Sequence, residues 1–255
     1  ISNYVASKPD AYGKEAPIFL IIRDHNEVIA GVALRTPPFP WSLSELSQEA
    51  IGHLFDHIQS TGLDFPGMVG PEVTIRKAIS VWNERSQQSG YVDKHMRSYS
   101  MEKVDHDFQG KGELRLCTMD DLGLVYEWSK AFAIDAKLPE GPPSKEAVTA
   151  RVEAKTCHFW EVDGEPRCMI GHTREPLEGV IRVAPVYTPK EHRRKGYGTD
   201  ATAALSQSLF DKGVKYCSLF TDLANPTSNS IYQKVGYRPV SDFLLYLYEP
   251  MKTEK

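Results

Sequence analysis

The residues best placed to do chemistry lie between positions 193 and 237. Arg193-Arg194-Lys195-Gly196-Tyr197-Gly198 sets three cations against two glycines. Ala201, Ala204, Leu205, Ser208 and Leu209 follow at helical spacing, and Gly213 stops the run. The first amides of a helix have no internal partner and its dipole favours negative charge, while glycine lets backbone approach closely. The segment is therefore a ready site for a phosphate. Taken by itself it reads equally well as a solvated basic turn before a surface helix. Further on, Asn225 as N-cap, Pro226 at the first helical position and Gly236 past the end outline a short helix that carries Ser228 and Tyr232. On helix position alone, Tyr232 reads as a tyrosine half-buried against a sheet. Other reactive residue types form no motif. His53 and His57 stand four apart without the HExxH context, so they read as solvated or capping. Cys117, Cys157, Cys168 and Cys217 have no metal-ligand spacing.

These residues need particular elements to position them. Val180–Tyr187 is a β-branched run and reads as a strand. Pro185 lies inside it, where an ordinary central strand would lose a ladder donor, so the spacing predicts a bulge or a splayed strand. Val214–Thr221 reads as the next strand, between the basic loop's helix and the Asn225 helix. Upstream, His158–Thr173 reads as a hairpin turning at Asp163-Gly164. Glu113–Cys117 reads as a strand, with Thr118 capping a helix through Trp128 and Phe132. The first half echoes this layout. Phe19–Arg35 reads as a hairpin turning at Asp24–Glu27, and the apolar residues at 43, 46, 50, 51, 54, 55 and 58 predict a helix over 43–60. Another helix follows Gly70-Pro71. Each half closes on an aromatic segment, Gly90–Val104 and Gly236–Glu249. A polar linker over 105–112 suggests two domains, 1–110 and 113–255, and the paired layouts suggest a duplication.

With a strand before it and a helix after it, the basic loop resembles the acetyl-CoA loop of the GNAT family of N-acetyltransferases, Arg/Gln-x-x-Gly-x-Gly/Ala. The Walker A spacing is missing, and the dinucleotide fingerprint has no third glycine because position 201 is Ala. The run from Asn225 to Tyr237 resembles the family's second signature, Asn-x-x-(Ala/Ser)-x-x-x-Tyr-x-Lys-x-Gly-(Phe/Tyr). The resemblance covers residues 113–255. It implies an α/β (α+β) fold with a mixed, mostly antiparallel sheet flanked by helices, in two tandem copies of which the first is degenerate. It implies that acetyl-CoA is the cosubstrate and lies between two splayed parallel strands. Val186, Tyr187 and Thr188 would pair with its pantetheine. Amides from Arg193 through Arg194, Lys195, Gly196, Tyr197 and Gly198 to Thr199 would hold its pyrophosphate, with Asn225 and Ser228 assisting. An amide near Val186 would steady the oxyanion, and Tyr232 would protonate the departing thiolate. Glu161, His172 and Glu178 are candidates for the base. Arg194 stands where the family often has glycine.

The implied activity is transfer of acetyl to a primary amine of a small molecule or peptide; the alternative is a non-catalytic acyl-CoA-binding or sensing module. No metal is implied. A formal net charge of -4 gives no general attraction to nucleic acid or acidic membranes, and the cationic run at 192–195 is short, with no stacking aromatics. The 41% hydrophobic and 25% charged content argues against disorder. No apolar stretch is long enough to span a bilayer, the first fourteen residues lack a signal-peptide layout, and four scattered cysteines read as reduced thiols. Together these predict a cytoplasmic protein.

Overall fold

The computed structural model describes residues 16–86, 88–106, 112–138, 141–174 and 178–248. The N-terminal residues weighed as a signal peptide, and most of the linker over 105–112, lie outside them. The chain divides into two compact units, one of Ile1–Arg97 with Ser241–Lys255 and one of Ser98–Val240.

In the first unit, strands β1 (Ile18–Arg23) and β2 (Ile29–Arg35) form the expected hairpin, with Ile18 opposite Arg35. Strand β3 (Trp41–Leu43) pairs antiparallel with β2 and parallel with β4 (Gly67–Pro71). Helix α1 (Gln48–Thr61) joins β3 to β4, and helix α2 (Glu72–Arg85) joins β4 to β5 (Gly90–Met101). The strand order is β1-β2-β3-β4-β11-β5, where β11 is the last strand of the chain (Arg238–Tyr248). The helix predicted over 43–60 starts only at Gln48. Ser47 caps it through the Ala50 amide, and Leu43 is a strand residue. Leu43 and Leu46 belong to the same buried cluster as Ile51, Phe55 and Ile58, so the apolar spacing ran on past the cap.

The second unit begins its own set with β6 (Gly112–Leu116), then helices α3 (Leu122–Asp135) and α4 (Lys145–Glu153). The hairpin β7 (Cys157–Val162) and β8 (Glu165–His172) turns at Asp163 and Gly164, both at positive φ, as a two-residue turn demands. Strand β9 (Val180–Tyr187), helix α5 (Tyr197–Asp211), strand β10 (Tyr216–Asp222) and helix α6 (Pro226–Val235) follow. The strand order is β5-β10-β9-β8-β7-β6. Residues on β7 and β8 alternate between two cores. Trp160, Cys168 and Ile170 pack with Ala201, Leu205 and Leu209 of α5; Phe159 and Met169 pack with Val125, Val148 and Val152 of α3 and α4.

The element order hairpin, strand, helix, parallel strand, helix, strand occurs twice, the second time after β6, α3 and α4. Each copy's last strand is exchanged. From Ser241 on, β11 lies in the first unit and pairs antiparallel with β4, Phe243 opposite Pro71. From Ser98 on, β5 lies in the second unit beside β10.

Candidate active site

The parallel ladder of β9 and β10 joins Val180–Arg182 to Tyr216–Ser218. Both strands run on beyond it, β9 to Tyr187 and β10 to Asp222. Against β8, Val183 lies opposite His172 and Val186 opposite Ile170. Two residues, Ala184 and Pro185, therefore face the single Gly171. That is a β-bulge, and it seats Pro185 where no ladder donor is needed. The Ala184 carbonyl accepts from Arg151 Nη2 at 3.0 Å. Gly171 is required there, because a Cβ would stand 2.6 Å from the same guanidinium and 2.9 Å from the Thr156 carbonyl. Past the bulge, successive amides of an antiparallel strand point to alternate sides, so those of Val186–Thr188 that do not serve β8 point to the side of β10.

A 3-10 turn at Lys190–His192 leads into the basic loop. Arg194 and Gly196 both take left-handed φ, 62° and 84°, and Gly196 opens α5. The Arg193 amide donates to Lys190 O at 3.3 Å, and those of Thr199 and Asp200 donate to Gly196 O at 2.9 and 3.1 Å. The amides at both ends of the expected Arg193–Thr199 run are thus bonded within the chain. Among the described residues the five amides from Arg194 to Gly198 have no acceptor, and alternating left-handed residues make such a run concave toward an anion. The Arg193 guanidinium is engaged elsewhere. It donates to Thr188 O at 2.9 Å and to Asp135 Oδ2 at 2.5 Å, tying the loop to the end of α3. Arg194 and Lys195 are exposed. Gly198 has no positive φ, and a Cβ there would meet only Thr188 Oγ1, at 3.5 Å.

Helix α6 is capped as expected: Asn225 Oδ1 accepts from the Ser228 amide at 3.1 Å, and Pro226 opens the helix. Tyr232 is half-buried, its ring between those of Tyr99 (6.5 Å between centroids) and Tyr237 (6.0 Å). The two flanking hydroxyls are committed. Tyr237 shares a hydrogen bond with Ser206 Oγ at 3.0 Å, and Tyr99 donates to Asn229 Oδ1 at 2.8 Å. Among the described residues the Tyr232 hydroxyl has no partner. Burial, and then the neighbouring Cys168, hold its pKa well above the usual phenol value, so it stays protonated. A glycine-opened run of amides without acceptors, a β9–β10 ladder that stops at Arg182 and Ser218, and a protonated phenol thus all belong to the second unit.

The pattern of the acetyltransferase (GNAT) family matches residues 123–237. Residues 123–237 are a GNAT acetyltransferase domain. YobR of Bacillus subtilis, an uncharacterized N-acetyltransferase, is 23% identical over 163 residues, which cover 59% of this chain and 66% of YobR, just under two thirds of its length. A GCN5-related N-acetyltransferase from Kribbella flavida superposes over 88% of both chains with TM-score 0.59 and 20% identity. A Drosophila protein does so over 98% of this chain and 86% of its own, with TM-score 0.67 and 13% identity. At such identities the likeness is one of fold, a mixed sheet flanked by helices, and it extends across both halves.

Within the GNAT domain the three base candidates fall in different places. Glu161 is buried on β7, where Arg115 Nε donates to it at 2.7 Å. The same guanidinium clasps Asp121 at 2.8 and 2.9 Å, which holds the Asp121 carboxyl down at about 2. Glu178 is exposed at φ 52° before β9. His172 stands opposite Val183, beside the bulge. Its Nδ1 lies 2.7 Å from Thr173 O, and burial pushes its pKa down. Two functional candidates escaped sequence reading. Asp200, in the first turn of α5, lies 3.1 Å from His106 Nε2; Tyr99 comes from the other half of the chain. Neither belongs to a spacing motif. In the first unit, Glu72, His95 and Asp242 bring ligand atoms within 4.8 Å of one another. Arg76 already bonds Glu72 at 2.7 Å, and Arg97 holds Asp242 through two bonds of 2.6 and 2.8 Å.

Proposed function

We propose that the GNAT domain transfers the acetyl group of acetyl-CoA directly to a primary amine on a small-molecule or peptide acceptor. The observation that carries this reading is the run of five amides, Arg194–Gly198, that have no acceptor among the described residues and follow a strand, β9, whose ladder with β10 ends at Arg182. The pyrophosphate would lie on these amides, with Arg194 and Lys195 adding positive charge and Arg193 bracing the loop. Asn225 and Ser228 would hold the turn into α6 and assist binding. Pantetheine would extend along Val186, Tyr187 and Thr188 in place of the missing ladder.

The acceptor nitrogen attacks the thioester carbon, and an amide at Val186 steadies the oxygen as it gains charge. The C–S bond then breaks. Its electron pair goes to sulfur, and Tyr232 Oη delivers the proton that makes the thiol. The nitrogen, an ammonium in the tetrahedral adduct, loses its proton to water or to His172 before the C–S bond breaks, so that a neutral amide is left, and solvent restores the phenol. We take 1–110 and 113–255 as the two copies in chain order, with the second catalytic. We place the protein in the cytoplasm, where its four free, buried thiols suit a reducing medium. Among the described residues no helix is long and apolar enough to cross a membrane.

Thiol release from acetyl-CoA against an amine panel tests the reading. Wild type is expected to turn over, and Tyr232→Phe to lose roughly 10²-fold in kcat with little change in the KM for acetyl-CoA. Tight acetyl-CoA binding without turnover across the panel would instead identify a binding or sensing module.

A further inference from the structure

We propose that Tyr99, a residue of the first half of the chain, is a positioning residue for Tyr232. The inference rests on the acid role given to Tyr232 above. Helix α6 is ten residues long and Val235 is its one fully buried residue, so apolar packing alone seats it weakly. Polar bonds complete the seat. The Asn229 side chain is their hub: Nδ2 donates to Asp222 O at 3.0 Å, at the end of β10, and to Asn225 O at 2.8 Å, at the helix cap. Its remaining acceptor, Oδ1, takes the proton of the Tyr99 hydroxyl at 2.8 Å. One turn on, Gln233 Nε2 donates to the same hydroxyl at 3.3 Å. Residues 229 and 233 are four apart and share a face of α6. The Tyr99 hydroxyl therefore grips the helix at two points on successive turns, and Tyr232 is the residue immediately before the second.

Tyr99 is itself immobilised, 1% exposed in the core beneath α5. Its ring also walls one side of Tyr232. Among the described residues the Tyr232 hydroxyl has no partner, so its ring contacts and the helix that carries it hold it in place. Loss of the Tyr99 hydroxyl leaves Asn229 Oδ1 and Gln233 Nε2 without their partner, freeing α6 to shift while the ring packing persists.

The test is a double-mutant cycle of Tyr99→Phe and Tyr232→Phe, read by steady-state thiol release, with hydrogen exchange of the Ile231–Val235 amides followed in parallel. Tyr99→Phe is expected to lower kcat about tenfold, leave the KM for acetyl-CoA within about twofold, and speed exchange in α6. In the Tyr232→Phe background it is expected to cost nothing further. Gln233→Met, at an exposed position, is expected to give a smaller loss of the same kind without touching the core. A Tyr99→Phe loss that recurs in full in the Tyr232→Phe background, or unchanged α6 exchange, overturns the positioning inference alone. A Tyr232→Phe enzyme as fast as wild type removes the acid, and both readings fall.

Discussion

Gly196 and Gly198 look equivalent in the basic loop, yet the backbone asks different things of them. Gly196 sits at φ 84°, a conformation that costs a side-chain-bearing residue roughly 1–2 kcal/mol. Gly198 has ordinary backbone geometry and room for a methyl group, with Thr188 Oγ1 at 3.5 Å. Gly196→Ala is therefore expected to lower the melting temperature by several degrees. Gly198→Ala should leave the stability within about 0.5 kcal/mol of wild type. If a phosphate rests on the loop, the methyl at 198 takes its space, and the KM for acetyl-CoA rises by roughly tenfold, about 1.4 kcal/mol. Calorimetry and steady-state kinetics on the pair separate a glycine needed by the fold from one needed by a ligand. An unchanged KM in Gly198→Ala would count against the cradle.

At the scale of elements, β7 and β8 bury a group that ties stability to pH. His158 is 7% exposed, its Nδ1 has no partner among the described residues, and its ring lies 5.7 Å from that of His172. Burial first, then the charges of His172 and Lys212, push its pKa down from 6.5 to about 4. Between those values the unfolded chain binds a proton that the folded chain refuses, so stability is full above pH 6.5 and falls as pH drops toward 4. The loss is at most roughly 3 kcal/mol. Melting temperatures measured from pH 7 to 4 should decline, and His158→Gln should flatten the decline. This pair was not legible beforehand, since only strand register brings positions 158 and 172 together on one face. Elements whose signals are local were legible: the Asp163-Gly164 hairpin, the β9 bulge announced by Pro185, and the Asn225–Gly236 helix limits. The predicted helix over 43–60 overran its true start because Leu43 and Leu46 serve the same core from outside the helix. Tyr99 could not be found, because 130 residues separate it from the asparagine it bonds.

At the scale of the whole molecule, the exchanged strands decide which piece of chain is a folding unit. A cut at the polar linker gives 113–255, the half that carries both signature segments. That fragment lacks Tyr99 and Met101, both buried in the core shared by α5, β9 and β10, and it leaves β10 without β5 at its side. It also carries the C-terminal part of β11, whose Leu244, Tyr246 and Tyr248 belong to the core of the first unit and whose partner strand is β4. An exposed apolar strand without its partner is an aggregation hazard. The fragment 98–240 keeps the second unit's core and sheds that strand. It is therefore expected to be the better folded of the two, with a cooperative melt by circular dichroism, whereas 113–255 is expected to melt broadly or precipitate. A cooperative melt for 113–255 as sharp as that of 98–240 would mean that β5 and the end of β11 contribute little to either core.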